Sequence, residues 1–443
     1  MNDRVTTSAP AAAPAAATTR AGAGALDRIA PYAGWIAFAL ALVLLPLVFR
    51  SGTALTMMSL MGINIIFSLS YNMLLGQTGM LSFGHAVYFG LGAYFTVHAI
   101  NAAIASGLPI PLFLMPLVGA LGGLGFAMLF GWVSTKRSGT AFAMISLGLA
   151  ELVGSSSLIL RSFFGGEEGV STNRTKLLHV LGWNFGPQIQ VYYLIAIWCF
   201  ICVVLMYALT RTPFGRMCNA VRDNPERVQF IGYNPQVVRY VPFSLSGLFA
   251  GIAGALSAVN FEFANAAIFS AVQSGNVLLA TFIGGAGHFI GPILGAVLLT
   301  YLQNMLSDIT DVWQLYFGLM FIAVVMYAPG GLAGLIMMHR TIWRAGVLWR
   351  LVPAYALMVV PIALVGGGMV LIIEMSTHLS VKEAEGSVMS MAGIHFDARS
   401  WQPWAPALVT LFVGAAWWRR GWRRVGGAWD SAQRIAREKG LLV

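Results

Sequence analysis

The chain is 443 residues long, 58% hydrophobic and only 9% charged, with a mean hydropathy of +0.76. That balance excludes a soluble globular protein, which has no use for so much apolar surface, and predicts an all-α polytopic transmembrane bundle. The net charge of +10 does not point to nucleic acid, because the cations sort by side of the membrane.

Residues 1–31 are Ala/Pro/Thr-rich and lack the continuous apolar run of a secretory signal. They predict a disordered cytoplasmic tail, although the scarcity of acidic residues also fits a transit peptide. About ten to twelve spans follow, over 32–49, 54–75, 80–100, 109–133, 139–160, 190–210, 241–261, 275–287, 288–306, 313–337, 351–374 and 403–418. The stretch 273–306 is too long for one crossing of a ~30 Å hydrocarbon layer. "GGAGHFIGP" at its centre breaks it, so it predicts two short passes or a broken helix that returns to the same side. With the N-terminus inside and twelve crossings, 20 of the 26 Lys and Arg fall inside, as the positive-inside rule requires. A single crossing at 273–306 would invert everything after it. The tail "WWRRGWRR" (417–424) reads as an aromatic belt with a stop signal, and secondarily as a membrane-lipid patch.

Three cysteines give no disulfide framework. Cys199 and Cys202 form a C-x-x-C inside an apolar span and read as two buried thiols on one helix face. "GHAVYFGLGA" (84–93) and "GHFIGPILGA" (287–296) share five residues at identical spacing, a faint internal repeat of the kind found in two-halved transporters.

Against this background "FGRMCNAVRDNPERVQFIG" (214–232) stands out. It carries charges of both signs and lies on the inside. Phe214, Met217, Val221, Val228 and Ile231 recur at near-helical spacing, and Asn224-Pro225 marks a turn or a new helix start. The expected shape is an amphipathic helix, a turn and a second helical stretch, built either to dock on another protein or simply to fix topology.

Residues 214–256 resemble the cytoplasmic loop and following helix of branched-chain amino acid ABC transporter permeases, LivM type. The matching residues are Phe214, Gly215, Arg216; Ala220, Arg222, Asn224; Gly232, Asn234; and Ser246, Ala250, Gly251, Ala253, Gly254, Ala255. "GQTGMLSFGHAVYFGLGAY" (76–94), "GGAGHFIGPILGA" (284–296) and "YAPGGLAGL" (327–335) match in family order, so the likeness covers roughly residues 35–340. It implies a permease core over 32–340 in a bacterial inner-membrane importer of branched-chain or related amino acids. The implied partners are a LivH-type second permease, two cytoplasmic ATPases and a periplasmic substrate-binding protein. Relatives that carry urea, short amides or aromatic acids are not separated by these residues. The island then becomes the ATPase-coupling loop: Phe214, Gly215, Arg216, Arg222, Asp223, Asn224, Glu226 and Arg227. The sequence has no G-x-x-x-x-G-K-[ST] phosphate loop. ATP is therefore expected at the partners, and no cofactor on this chain.

Two departures stand out. Residues 341–443 extend past the family's usual end, with two candidate spans and a basic cytoplasmic tail. The outer loop at 164–176 keeps Gly165, Gly166 and Gly169 where the family is Gly-rich, but adds Glu167 and Glu168.

Candidates for the translocation path are Gly79, Gly84, His85, Glu151, Asn276, Gly284, Gly285 and His288. Glu151 is ionisable within a span, which is costly and marks either function or a carboxylate bonded inside the bundle. Asn260 and Glu262 lie near an outer span end and read as interfacial. The glycines permit close backbone approach and broken helices, or plain packing, and the histidines line a cavity or pack. No metal-ligand or nucleophile–base spacing is present. The rival reading is a stand-alone secondary carrier or channel without an ATPase, against which stands the scarcity of ion-relay residues within the spans. An integral membrane enzyme would need clustered catalytic groups, which the sequence lacks.

Overall fold

A computed structural model describes residues 33–178, 183–381, 387–391 and 394–439. The proposed tail at 1–31 and Lys382 lie outside the described residues. In chain order the helices are α1 (Ala33–Val48), α2 (Gly52–Thr78), α3 (Ala86–Ser106), α4 (Met115–Ser134), α5 (Thr140–Ile159), α6 (Arg161–Phe164), α7 (Gln188–Arg211), α8 (Pro213–Asp223), α9 (Pro225–Phe230) and α10 (Pro235–Phe261). They continue as α11 (Ala271–Gly284), α12 (Gly291–Ser307), α13 (Trp313–Tyr327), α14 (Gly331–Arg344), α15 (Val352–Val381) and α16 (Trp401–Glu438). The described strands pair as two antiparallel ribbons. β1 (Val170–Ser171) joins β2 (Phe263–Ala264), and β3 (Val388–Met391) joins β4 (Ile394–Asp397).

Among the described residues, seven helices are long and apolar enough to cross a membrane: α2, α3, α4 with its preceding 3-10 turn, α5, α7, α10 and α15. The pair α13–α14, bent by 42°, is long and apolar enough only when taken together, as a broken span or a re-entrant loop. The bend falls at Ala328-Pro329-Gly330, inside the segment 313–337 that the hydropathy pattern treats as one span. Proline has no N–H to give the ladder and glycine holds it poorly. The remaining candidate spans are the shorter helices α1, α11 and α12 and the first half of α16. α1, a helix of 16 uncharged residues, belongs to a separate unit, Met1–Ser51.

α10 is the most buried span. It crosses α4 where Gly119 and Gly123 meet Gly247 and Gly251, so the two backbones touch with no side chain between them. Without a hydrophobic drive between helices in lipid, this close packing is what holds them. α2 lies against α7, α10 and α12. Its polar residues stitch the bundle: Asn64 Nδ2 donates to Thr300 Oγ1 of α12 at 2.8 Å, and Thr281 Oγ1 of α11 donates to the Ser68 carbonyl at 3.3 Å.

α11 and α12 form a tight antiparallel hairpin in which Gly284 faces the Gly291 carbonyl and Gly295 faces that of Ala280. The broken segment expected at 273–306 is thus two short helices joined by a turn at 285–290. The C-terminal residues add a second hairpin. α15 and α16 pack through Gly368, which faces Ala407 and Leu411, Gly414, which faces Leu364 and Val365, and Gly421, which faces Met358. The candidate span 403–418 and the basic tail as far as Glu438 form one continuous helix, α16. This hairpin is tied to the core by Tyr316 Oη donating to Glu374 Oε1 at 2.9 Å. A cluster of Ile342, Ala345, Val347, Leu351, Ala432 and Ala436 adds to the seam.

Candidate functional site

The charged island folds into α8 and α9, and its sequence explains both starts. Thr212 Oγ1 accepts from Gly215 N–H with Pro213 in the first turn, and Asn224 Oδ1 accepts from Arg227 N–H with Pro225 in the first turn. Asn234 and Pro235 repeat the device at α10. Cap and proline together satisfy exposed donors and preset the backbone.

One face of the island is buried. Cys218, Val221, Val228 and Val238 form its core, with Phe214, Met217 and Ala220 against them. Burial pushes the Cys218 thiol up to about 12. Phe214 therefore packs inward rather than outward, Gly215 abuts the end of α7, and Asn224 is a cap. Arg216, Asp223, Glu226 and Arg227 are exposed. Ile231 departs from the helical pattern and stands exposed beside Phe230, which is 89% exposed. The apolar tip formed by Phe230, Ile231 and Tyr233 was not legible as a site, because it falls in the turn after the helical periodicity ends.

Arg222 does something else. It pairs with Asp223 at 3.2 Å, and its Nη1 donates to the Gly76 carbonyl in the last turn of α2. Its stem covers Gly79, whose φ of +69° ends that helix. The far side of Gly76 faces the carbonyl of Ala286, in the α11–α12 turn, and Gly285 in that turn faces the carbonyl of Gly330, at the α13–α14 break. Successive contacts thus run from the island to the end of α2 and on to two helix breaks.

A cleft of about 530 Å³ opens beside α2. Its walls come from α2, α3, α10, α11, α12 and α13. Phe67, Phe89, Phe261 and Ile63 supply apolar surface, and Asn64, Asn276, Gln273, Gln303 and Thr300 supply neutral polar groups. No Asp, Glu, Lys, Arg or His lines it among the described residues. Such a surface can bind a small neutral or zwitterionic solute with an apolar body.

Of the sequence-derived path residues, only Asn276 lines this cleft. His85 sits one layer behind the wall, stacked on Phe67 at 5.4 Å with Nε2 2.9 Å from Ser70 Oγ, and its Nδ1 has no partner. Gly84 packs on the Ser146 carbonyl, and Gly79 lies under Arg222. Gly284, Gly285 and His288 build the α11–α12 turn. Glu151 is not turned into the bundle of this chain; it is exposed on α5.

At the other end of α10, Arg174 is 9% exposed. It donates to the carbonyls of Phe185 at 2.8 Å and of Val259 and Asn260 at 3.0 Å, which caps the helix C-terminus. Its own N–H donates to Glu262 Oε1 at 2.8 Å. Desolvation lowers the guanidinium pKa and Glu262 pushes it back. Glu262 thus anchors the loop, and Asn260 Oδ1 accepts from Gln188 Nε2 at 2.8 Å. In sequence Arg174 reads only as an outer-loop cation.

Comparison with known proteins agrees with this architecture. The family described as "Branched-chain amino acid transport system / permease component" matches residues 53–329. The high-affinity branched-chain amino acid permease LivM of Salmonella typhimurium is 28% identical over 291 residues, 61% of this chain and 67% of that protein. A probable LivM of Methanocaldococcus jannaschii is 26% identical over 318 residues, 61% of this chain and 90% of that protein. LivH of Salmonella typhimurium is 24% identical over 297 residues, again 61% and 90%. No solved structure matches the chain. The match covers well over half of the sequence and stops at the α13–α14 break. The chain is a multi-pass membrane protein that belongs to the family of branched-chain amino acid transport permease components.

Proposed function

We propose that this chain is one of two permease subunits of an ATP-driven importer in a bacterial inner membrane, carrying branched-chain or related amino acids. The observation that carries this reading is the island. Its buried face fixes it to the bundle, its exposed face joins charges of both signs to a bare apolar tip, and Arg222 ties it to the end of α2. Two cytoplasmic ATPases would receive that face, a LivH-type permease would complete the path, and a periplasmic protein would deliver the substrate. ATP would be bound and hydrolysed by the ATPases, with no cofactor on this chain. Closure of the ATPases would push the island as a rigid element. Through Gly76 the push would reach α2, which forms one wall of the cleft.

The cleft supports an amino-acid cargo. Its phenylalanines suit an aliphatic side chain, and its amides and hydroxyls can meet an ammonium and a carboxylate without a fixed charge to trap either. The carrier reading leaves Phe230 and Ile231 exposed for no reason. Uptake of labelled leucine by proteoliposomes containing the purified complex separates the two. Uptake is expected only with binding protein outside and ATP inside; uptake driven by an ion gradient without ATP would favour the carrier.

A further inference from the structure

α5 buries one face and leaves a carboxylate on the opposite one. Phe142, Ala143, Ser146, Ala150, Val153 and Ser157 are buried. The opposite face, at three- and four-residue spacing, carries Met144, Gly148, Glu151 and Ser155, all exposed. Glu151 stands about 17 Å along a 20-residue helix at 1.5 Å per residue, near the middle of a ~30 Å hydrocarbon layer. Among the described residues nothing donates to or pairs with its carboxylate, and it does not line the cleft.

A bare carboxylate at mid-depth cannot face lipid without a large cost. Something polar or protein therefore covers this face. We infer that the Met144–Ser155 face of α5 seats against the second permease of the transporter, with Glu151 bonded to a donor of that chain at mid-membrane. This rests on the proposed two-permease assembly.

Three observations select the occupant. The small residues Gly148 and Ser155 flank Glu151 and allow a helix to approach closely. Matches to both a LivM and a LivH permease of Salmonella typhimurium show that two different chains akin to this one can belong to one organism's branched-chain amino acid system. A second copy of this chain is disfavoured, because a two-fold seam on this face would set Glu151 against Glu151, and like carboxylates cannot both ionise at short range.

The test uses the full complex. A photo-crosslinking residue in place of Met144 or Ser155 is expected to form its adduct with the second permease. Adducts with lipid alone, in a complex that retains the second permease, overturn this inference and leave the importer reading standing. Adducts with another copy of the chain overturn it as well. A complex that holds no second permease removes both together. A companion measurement replaces Glu151 with Leu or Asp. At a protein seam Glu151→Leu is expected to lower uptake at least tenfold or release the second permease, and Glu151→Asp to retain most activity. A lipid-facing site would tolerate Leu at full activity, which would contradict the proposal.

Discussion

Arg222 of α8 donates from its guanidinium to the carbonyl of Gly76, in the last turn of α2. A cation at the carbonyl end of a helix is favourable, and the bond fastens a surface element to a wall of the cleft. Arg222→Gln should weaken this link. The side chain is 39% exposed, so the stability cost is about 1 kcal/mol at most. Uptake should nonetheless fall roughly tenfold at unchanged membrane abundance, with ATPase subunits still bound. Arg216→Glu, on the exposed face, should instead release the ATPases. Quantitative pull-down and uptake on the two variants distinguish the roles; identical behaviour would count against them.

Gly79 ends α2 with φ +69° and lies under the stem of Arg222, so a Cβ there would stand 2.9 Å from Arg222 Cγ. Gly79→Ala pays for the left-handed backbone, about 1–2 kcal/mol, and also displaces the arginine. Gly107, with φ +66° and open space around it, isolates the first cost. Thermal denaturation of the purified protein should show Gly79→Ala losing more than Gly107→Ala, and only Gly79→Ala should depress uptake.

The Arg174 guanidinium donates to two carbonyls at the C-terminal end of α10, Val259 and Asn260, and to two in the loop before α7, Phe185 and Gly186. Arg174→Ala leaves them without that donor and removes the 3.9 Å guanidinium–Glu262 ion pair, while the backbone N–H to Glu262 stays, a loss of about 3 kcal/mol. The melting temperature should drop by several degrees, and proteolysis of the 165–178 loop should quicken. Arg174→Lys should recover only part, since one ammonium cannot reach carbonyls on both sides as the guanidinium does.

The spans were legible because membrane helices are long apolar runs, and the break at 285–290 because glycine and proline cluster there; the break at Ala328-Pro329-Gly330 was hidden, because the apolar run of 313–337 continues across it. Asn224 followed by proline announced one helix start; Thr212 and Asn234, also followed by proline, cap two more that the sequence reading passed over. Pairing was hidden. Nothing local in Arg222 says that it turns back to Gly76 rather than outward. Arg174 looks like any loop cation until α10 ends beside it. Phe67, Phe89 and Asn64 sit in spans where apolar and amide residues are common, and only the meeting of α2, α3 and α12 makes them a wall. Glu151 was singled out by its charge, but its outward direction depends on which face of α5 the bundle uses.

Cys218 offers a probe of the island. Its thiol is buried and pushed up to about 12, so at pH 7–9 it stays protonated and hardly reactive, since the thiolate is the nucleophile. Maleimide labelling of the native complex should be slow at Cys218 and become fast on denaturation. Rapid native labelling at pH 7.5 would mean that the island opens away from α2 and α10.

A seat for an ATPase on the island shows itself in the proteins that travel with the chain. The most direct measurement is gentle affinity purification of the chain from its native membrane, with the co-purifying proteins identified by mass spectrometry, for the wild type and for Arg216→Glu. A second permease and ATPase subunits are expected with the wild type, and the second permease without the ATPases in the variant. Recovery of the chain alone under conditions that preserve such complexes, or ATPases bound equally to both forms, would contradict it.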